Sequence, residues 1–147
     1  MAAAKRVWQR AVKLVPHKKF TFGKLWIFYA NFLLRCCELD EARKVYGRSI
    51  GLFPKEKVFK AYIEMEERLG QLDRVRQIYE KYCEKFAQVP GPWIEFASFE
   101  YNLEELERCR QILTIAQQMR VEGVPDAEEF IASAQAEAEG EEGMEQE

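Results

Sequence analysis

Histidine is nearly missing from this chain of 147 residues, with His17 the only one. The four cysteines, at 36, 37, 83 and 109, form no C-x-x-C pair. A zinc site needs a tetrahedral set of good ligands at suitable spacing, and none is visible. Cys36 and Cys37 are adjacent and cannot close an ordinary disulfide on each other. The cysteines read as small buried hydrophobes in a reducing compartment. No Ser or Cys nucleophile can be matched with the sole imidazole, and no glycine-rich loop is present to cradle phosphate. Glu64, Glu66 and Glu67 have no second carboxylate cluster to work with, so they read as helix-surface charge rather than acid–base machinery. Five prolines and eight glycines are too few for a chain of many turns and short strands. No apolar run approaches the roughly 18 residues that cross a bilayer. The start, Lys5-Arg6-Val7-Trp8-Gln9-Arg10, lacks the apolar core of a secretory signal. An enzyme, a cofactor, a small-molecule substrate and a membrane are therefore not expected.

Basic residues stop at Arg120. Residues 1–60 carry a net +10, residues 61–120 a net −3, and residues 121–147 a net −10. A basic front suits nucleic acid or an acidic protein surface, the plain alternative being solvated helix faces. Apolar residues make up 48% and charged residues 32%, a globular balance at the length of about one domain.

A period of 33–34 residues organises the chain. Trp26-Ile27-Phe28-Tyr29-Ala30-Asn31-Phe32-Leu33 aligns with Phe59-Lys60-Ala61-Tyr62-Ile63-Glu64-Met65-Glu66 and Trp93-Ile94-Glu95-Phe96-Ala97-Ser98-Phe99-Glu100. Aromatics at Trp26, Phe59 and Trp93, and three residues on at Tyr29, Tyr62 and Phe96, fall on one helical face. A second amphipathic helix follows at fixed distance: Leu39-Asp40-Glu41-Ala42-Arg43-Lys44-Val45-Tyr46, Leu72-Asp73-Arg74-Val75-Arg76-Gln77-Ile78-Tyr79, and Leu106-Glu107-Arg108-Cys109-Arg110-Gln111-Ile112-Leu113. Asp40 and Asp73 stand at helix starts, where a carboxylate can accept free N–H groups. Gly70 and Asn102 mark the turns within pairs. The N-terminus matches a second helix, Val7-Trp8 aligning with Val45-Tyr46. Pro125-Asp126 opens a last helix, with Pro placed for its first turn.

Helix pairs of about 34 residues cannot bury their apolar faces alone and must stack. The fold class is therefore all-α, a TPR-like helical-repeat solenoid of stacked antiparallel helix pairs, with about seven helices and no strands. The expected organisation is a helical-repeat region over 1–138: a part repeat at 2–16, repeats at about 20–54, 55–87 and 90–120, and a weak terminal helix at 126–138. Residues 139–147 are expected to be a disordered acidic tail.

The pattern W-x-x-[YF]-x-x-[FM]-E followed by L-[DE]-x-[AVC]-R-x-[VI]-[YL] resembles the half-a-TPR, or HAT, repeat of RNA-processing proteins. Within it, Pro16-His17-Lys18-Lys19-Phe20-Thr21-Phe22-Gly23-Lys24-Leu25-Trp26-Ile27 resembles crooked-neck-like pre-mRNA-splicing factors. So do Ser49-Ile50-Gly51 with Pro54-Lys55, Phe59 to Glu64, and Asp73 to Lys81. The resemblance covers about residues 5–120. It implies a nuclear, non-catalytic scaffold of the spliceosome, partnered with splicing proteins of the nineteen complex. The rival reading is an RNA-binding HAT module of another complex, in three-prime-end or ribosomal RNA processing. Leu33 departs from the pattern, standing where Glu66 and Glu100 stand in the other units.

Two readings apply to each candidate residue. The stripe Trp26, Tyr29, Tyr46, Phe59, Tyr62, Tyr79, Trp93 and Phe96 reads as repeat core rather than as base-stacking platforms. Arg43, Arg76 and Arg110 suit either phosphate or a Glu such as Glu66 or Glu100 on a neighbouring first helix. His17, Lys18, Lys19 and Lys24 form a basic linker cluster, which Lys55 and Lys57 extend; RNA backbone or an acidic partner segment would bind there if the charges are not simply solvated. Trp8 lies on a helix without its own first helix, so its apolar face is a candidate partner contact.

Overall fold

A computed structural model describes residues 2–15 and 23–145. Among the described residues there are eight helices and no strand: α1 (Ala2–Leu14), α2 (Gly23–Arg35), α3 (Leu39–Leu52), α4 (Glu56–Arg68), α5 (Leu72–Lys85), α6 (Pro90–Asn102), α7 (Leu106–Gln118) and α8 (Ala127–Glu145). The all-α helical-repeat class stands. The chain divides into two compact units, Met1–Ile78 and Tyr79–Glu147, with the division falling inside α5.

Identical turns punctuate the pairs. The Glu38 N–H donates to the Leu33 carbonyl at 2.9 Å and the Cys37 N–H to Leu34 at 3.0 Å. The same two bonds recur from Gln71 to Glu66 and Gly70 to Glu67, and from Glu105 to Glu100 and Glu104 to Tyr101. This double bond is the left-handed helix stop that satisfies carbonyls the helix cannot pair itself. The left-handed residues are Cys37 (φ 60°), Gly70 (φ 70°) and Glu104 (φ 62°). The turn after α6 is therefore centred on Glu104, not on Asn102, which is the last helical residue. Asp40 and Asp73 are not helix caps either. Each is the second residue of its helix and approaches the arginine three residues on, Arg43 at 3.9 Å and Arg76 at 3.4 Å.

In the first unit α2 packs on α3, and α4 packs on both, with α1 against α2. The inward face of α2 is Trp26, Tyr29, Ala30 and Leu33, all buried; steps of 3, 4 and 7 place them on one stripe. Phe59 and Val58 of α4 and Ala42, Val45 and Tyr46 of α3 close on them. Each large side chain so removed from water stabilises the fold by about 1.5–3 kcal/mol. Tyr62 departs from the expected core: it is only half-buried, one ring face lying on Tyr46 at 4.9 Å between centroids.

In the second unit α6 and α7 form the tightest pair, and α8 packs on α7. Trp93, Phe96, Ala97 and Glu100 repeat the stripe of α2. The Trp93 indole N–H donates to the Ala87 carbonyl at 3.0 Å and fixes the entry into α6. Gln117 donates to the Val124 carbonyl at 2.7 Å and fixes the loop before α8. Asp126, not Pro125, makes the start of α8: its carboxylate accepts the Glu128 N–H at 3.2 Å, the work of a helix cap. α8 then runs past residue 138 to Glu145, so residues 139–145, expected to be disordered, are helical. Their lack of core-forming side chains was the ground for that expectation. Gly140 and Gly143 are poor helix formers; these turns extend a helix already established by the Ala- and Glu-rich stretch before them, where each added residue needs no new nucleus.

Candidate functional site

The repeat brings three aromatic pairs to equivalent places. Trp8 of α1 stacks on Tyr29 of α2 at 5.9 Å and 8°, Tyr46 on Tyr62 at 4.9 Å and 6°, and Tyr79 on Phe96 at 5.1 Å and 5°. Each joins a second helix to the next first helix, a contact worth about 0.5–1.5 kcal/mol beyond area alone. Burial pushes the Tyr46 phenol up to about 12, helped by the charge of Glu64. It also raises Tyr62, burial again being the main cause. Each ring is stacked on its partner across the helix seam, so the stripe contributes packing between helices.

A recurrent cation accompanies each pair, and its partner varies. In the first unit Arg43 grips Glu66 with two bonds, Nε to Oε1 at 2.7 Å and Nη2 to Oε2 at 3.1 Å. Glu66 is 0% exposed and the Arg43 side chain 15%. The hydrogen bond to Glu66 holds the guanidinium above its ordinary pKa, against the opposing effect of burial. A planar fork on a planar carboxylate fixes the relative orientation of α3 and α4. Lys5 is the counterpart of Arg43 one unit earlier. Leu33 occupies the place of Glu66 there, so Lys5 turns to Glu38 at 2.7 Å and Glu41 at 3.7 Å. Arg110 is the counterpart one unit beyond Arg76. Ala134 occupies the glutamate's place there, so Arg110 binds Glu128 at 2.8 Å and Glu107 at 2.6 Å on the surface. Glu100 is buried like Glu66, at 1% exposed.

Two open surfaces remain in the first unit. A groove of about 530 Å³ lies along α2 and α4. It is lined by Ile27, Leu34, Met65 and Leu69, with the Glu64–Arg68 ion pair at its edge. On α1, Val12 is buried, while Val7 and Leu14 are 67% and 75% exposed. Trp8 is half-buried, since Tyr29 and Phe32 cover it; the bare apolar residues of this helix are Val7 and Leu14 instead. Val7 and Leu14 are seven residues apart, a spacing that defines one face. That spacing was readable in the sequence, but their exposure depended on where α2 sits.

Of the basic candidates, His17, Lys18 and Lys19 lie outside the described residues. Lys24 and Lys57 are exposed. The Lys55 side chain runs along the backbone of Gly23, 3.8 Å from where a Cβ would stand there. Lys55 thus lies beside the start of α2. Burial pushes the Cys83 thiol up to about 12 and also raises Cys109, which makes both poor nucleophiles. No group of three metal-ligating side chains occurs among the described residues, and no described helix is long and apolar enough to cross a membrane.

Stacked helix pairs with aromatic seams and a repeated cation–glutamate clamp define a HAT-type helical-repeat protein. The chain matches the family described as pre-mRNA-splicing factor Syf1/CRNKL1 C-terminal HAT repeat, over residues 1–145. It is 45% identical to pre-mRNA-splicing factor cwf4 of Schizosaccharomyces pombe over 113 residues, 77% of this chain and 17% of that protein. Crooked neck-like protein 1 of Homo sapiens is 46% identical over 112 residues, covering 76% of this chain and 13% of that protein. Protein crooked neck of Drosophila melanogaster is 40% identical over 114 residues, 78% and 16%. The chain belongs to the Syf1/CRNKL1 HAT-repeat family, and it spans less than a fifth of the length of these relatives.

Proposed function

We propose that this chain works in pre-mRNA splicing as a non-catalytic scaffold segment, holding other spliceosomal proteins in the nucleus. The observation that carries the reading is the family match over residues 1–145, together with relatives named as splicing factors. The geometry is compatible with display rather than chemistry. A deeply buried, paired charge is used as a clamp between helices, Arg43–Glu66, and the open surfaces include a groove and apolar faces, which suit partner helices or extended segments. The partners are splicing proteins of the nineteen complex. Val7 and Leu14 of α1 and the groove along α2 and α4 are their contact surfaces, and Trp8 supports the α1 face from beneath by its stack on Tyr29.

The test is affinity purification of the tagged chain from nuclear extract, followed by identification of the proteins and small nuclear RNAs that come with it. Recovery of nineteen-complex proteins, lost in Val7→Asp/Leu14→Asp while the helical spectrum is kept, is expected. Recovery of ribosomal RNA or three-prime-end processing factors instead would overturn the reading.

Exposed Lys24 and Lys57 in the first turns of α2 and α4 support a second function, direct RNA contact there, with His17, Lys18, Lys19 and Lys55 adding charge. RNA affinity of the purified chain should then fall steeply with salt, as phosphate contacts do. RNA affinity unchanged in Lys24→Gln/Lys55→Gln would remove that surface.

A further inference from the structure

The second unit holds a groove unlike that of the first. It lies along α6 and α8 and encloses about 510 Å³. Tyr101 of α6 and Phe130, Ala134 and Ala138 of α8 give it an apolar floor. The helices meet there through the edge-to-face contact of Tyr101 and Phe130, 6.4 Å between centroids. Glu129, Glu137 and Glu141 stand along its α8 side. All three line the groove, and from Glu129 to Glu141 the helix rises about 18 Å.

No Lys or Arg lines this groove. Arg110, the cation of α7 that reaches α8, is committed to Glu128 and Glu107, and the chain has no basic residue after Arg120. In the first unit the groove along α2 and α4 carries one carboxylate, Glu64, and Arg68 of the same helix neutralises it. The groove of the second unit thus combines an apolar floor with an unneutralised acidic edge.

We propose that this groove docks a basic amphipathic helix of a partner protein. Its Lys or Arg side chains face Glu129, Glu137 and Glu141. Its small apolar side chains rest on Ala134, Ala138 and the Phe130 ring. Nucleic acid is repelled from such an edge, and a trough running between two helices suits a third helix. The proposal rests on charge and shape and stands apart from the splicing reading.

The full chain is titrated at low salt with a fluorescein-labelled Ala/Leu peptide carrying Lys at every fourth position, of about 20 residues so that a helix can form. Its Gln-for-Lys version is the control, and binding is read by anisotropy. The Lys peptide should bind and the Gln peptide should not. Glu129→Gln/Glu137→Gln/Glu141→Gln should weaken binding by at least about tenfold, as three lost exposed ion pairs allow. Glu139→Gln/Glu142→Gln/Glu145→Gln removes the same charge outside the groove and should leave binding within about twofold of the parent by the same reasoning. Circular dichroism checks that both variants keep the helix. Equal weakening by the two variants would mean diffuse attraction to an acidic helix and would overturn the proposal, as would failure of the parent chain to bind the Lys peptide. Salt-sensitive self-association abolished by the first variant would place a second copy's basic front in the groove, and would overturn the assignment to a partner protein.

Discussion

The two units are built from one repeat, yet the same arginine position does different work in each. Arg43 holds a buried carboxylate in a two-point grip, whereas Arg110 holds two exposed ones. The difference follows from a single position on the next first helix, occupied by Glu66 in one case and Ala134 in the other. Where the glutamate is present, it is drawn inside and locks one helix pair onto the next. Where it is absent, the cation swings to the surface, and a small residue is left on the floor of an open groove. A one-residue change at a register position thus converts a structural clamp into a potential docking surface.

The comparison can be broken most sharply at the core of the first unit. Phe59→Ala should cost about 3–5 kcal/mol in chemical denaturation, the usual loss for a fully buried aromatic. Tyr62→Ala should cost less than that, because the Tyr62 side chain is only partly buried. Equal losses would mean that Tyr62 is as deeply packed as Phe59.

Next in size is the clamp. Arg43→Ala leaves Glu66 buried without its partner and should cost about 3 kcal/mol. Arg110→Ala should leave the melting curve within experimental scatter, since its partners are solvated. A large loss in the second variant would erase the distinction between the units.

Alkaline pH gives a third handle. The Tyr46 proton is held to about 12 in the folded state against an ordinary 10.0. Between pH 10 and 12 the unfolded chain therefore releases a proton that the folded chain keeps. The contribution is complete below pH 10 and is lost as pH rises through the folded value. Tyr46→Phe keeps the stack and removes the titration, so the fall in denaturation midpoint over that window should be shallower than in the parent. An identical slope would show that Tyr46 is not a contributor.

The smallest effect lies in the turns. Glu104 occupies a left-handed conformation that Gly70 occupies at the equivalent place. Glu104→Gly should stabilise by about 0.5–1 kcal/mol, the relief of that conformation less the entropy glycine adds to the unfolded chain. A destabilised variant would show that the Glu104 side chain makes a contribution of its own.

Much of this architecture was legible beforehand because the repeat doubles every signal. Trp26, Phe59 and Trp93 each mark an inward face, and the period of 33–34 residues fixes which helices pair. The Arg–Glu rule was readable as two recurring charges in register. What could not be read was which side chains the packing would leave half covered: Trp8 gains Tyr29 as a lid, and Tyr62 keeps one side in water. Asn102 looked like the turn residue on composition. The helix stop instead chose Glu104, because a hydrogen-bond pattern sets that position and the residue there adapts. The groove of the second unit was invisible because it depends on Ala134 being small, and a small residue leaves no pattern.

The central claim is that Arg43 and Glu66 form a buried clamp, whereas Arg110, at the equivalent position of α7, holds exposed carboxylates. A pair of double-mutant cycles tests it directly, one on Arg43 and Glu66 and one on Arg110 and Glu128, with stability read by chemical denaturation. The account predicts a coupling of about 2 kcal/mol or more in the first cycle, as for residues in one buried network, and none beyond scatter in the second. A first cycle coupled by less than about 0.5 kcal/mol, or two cycles of equal size, would contradict it.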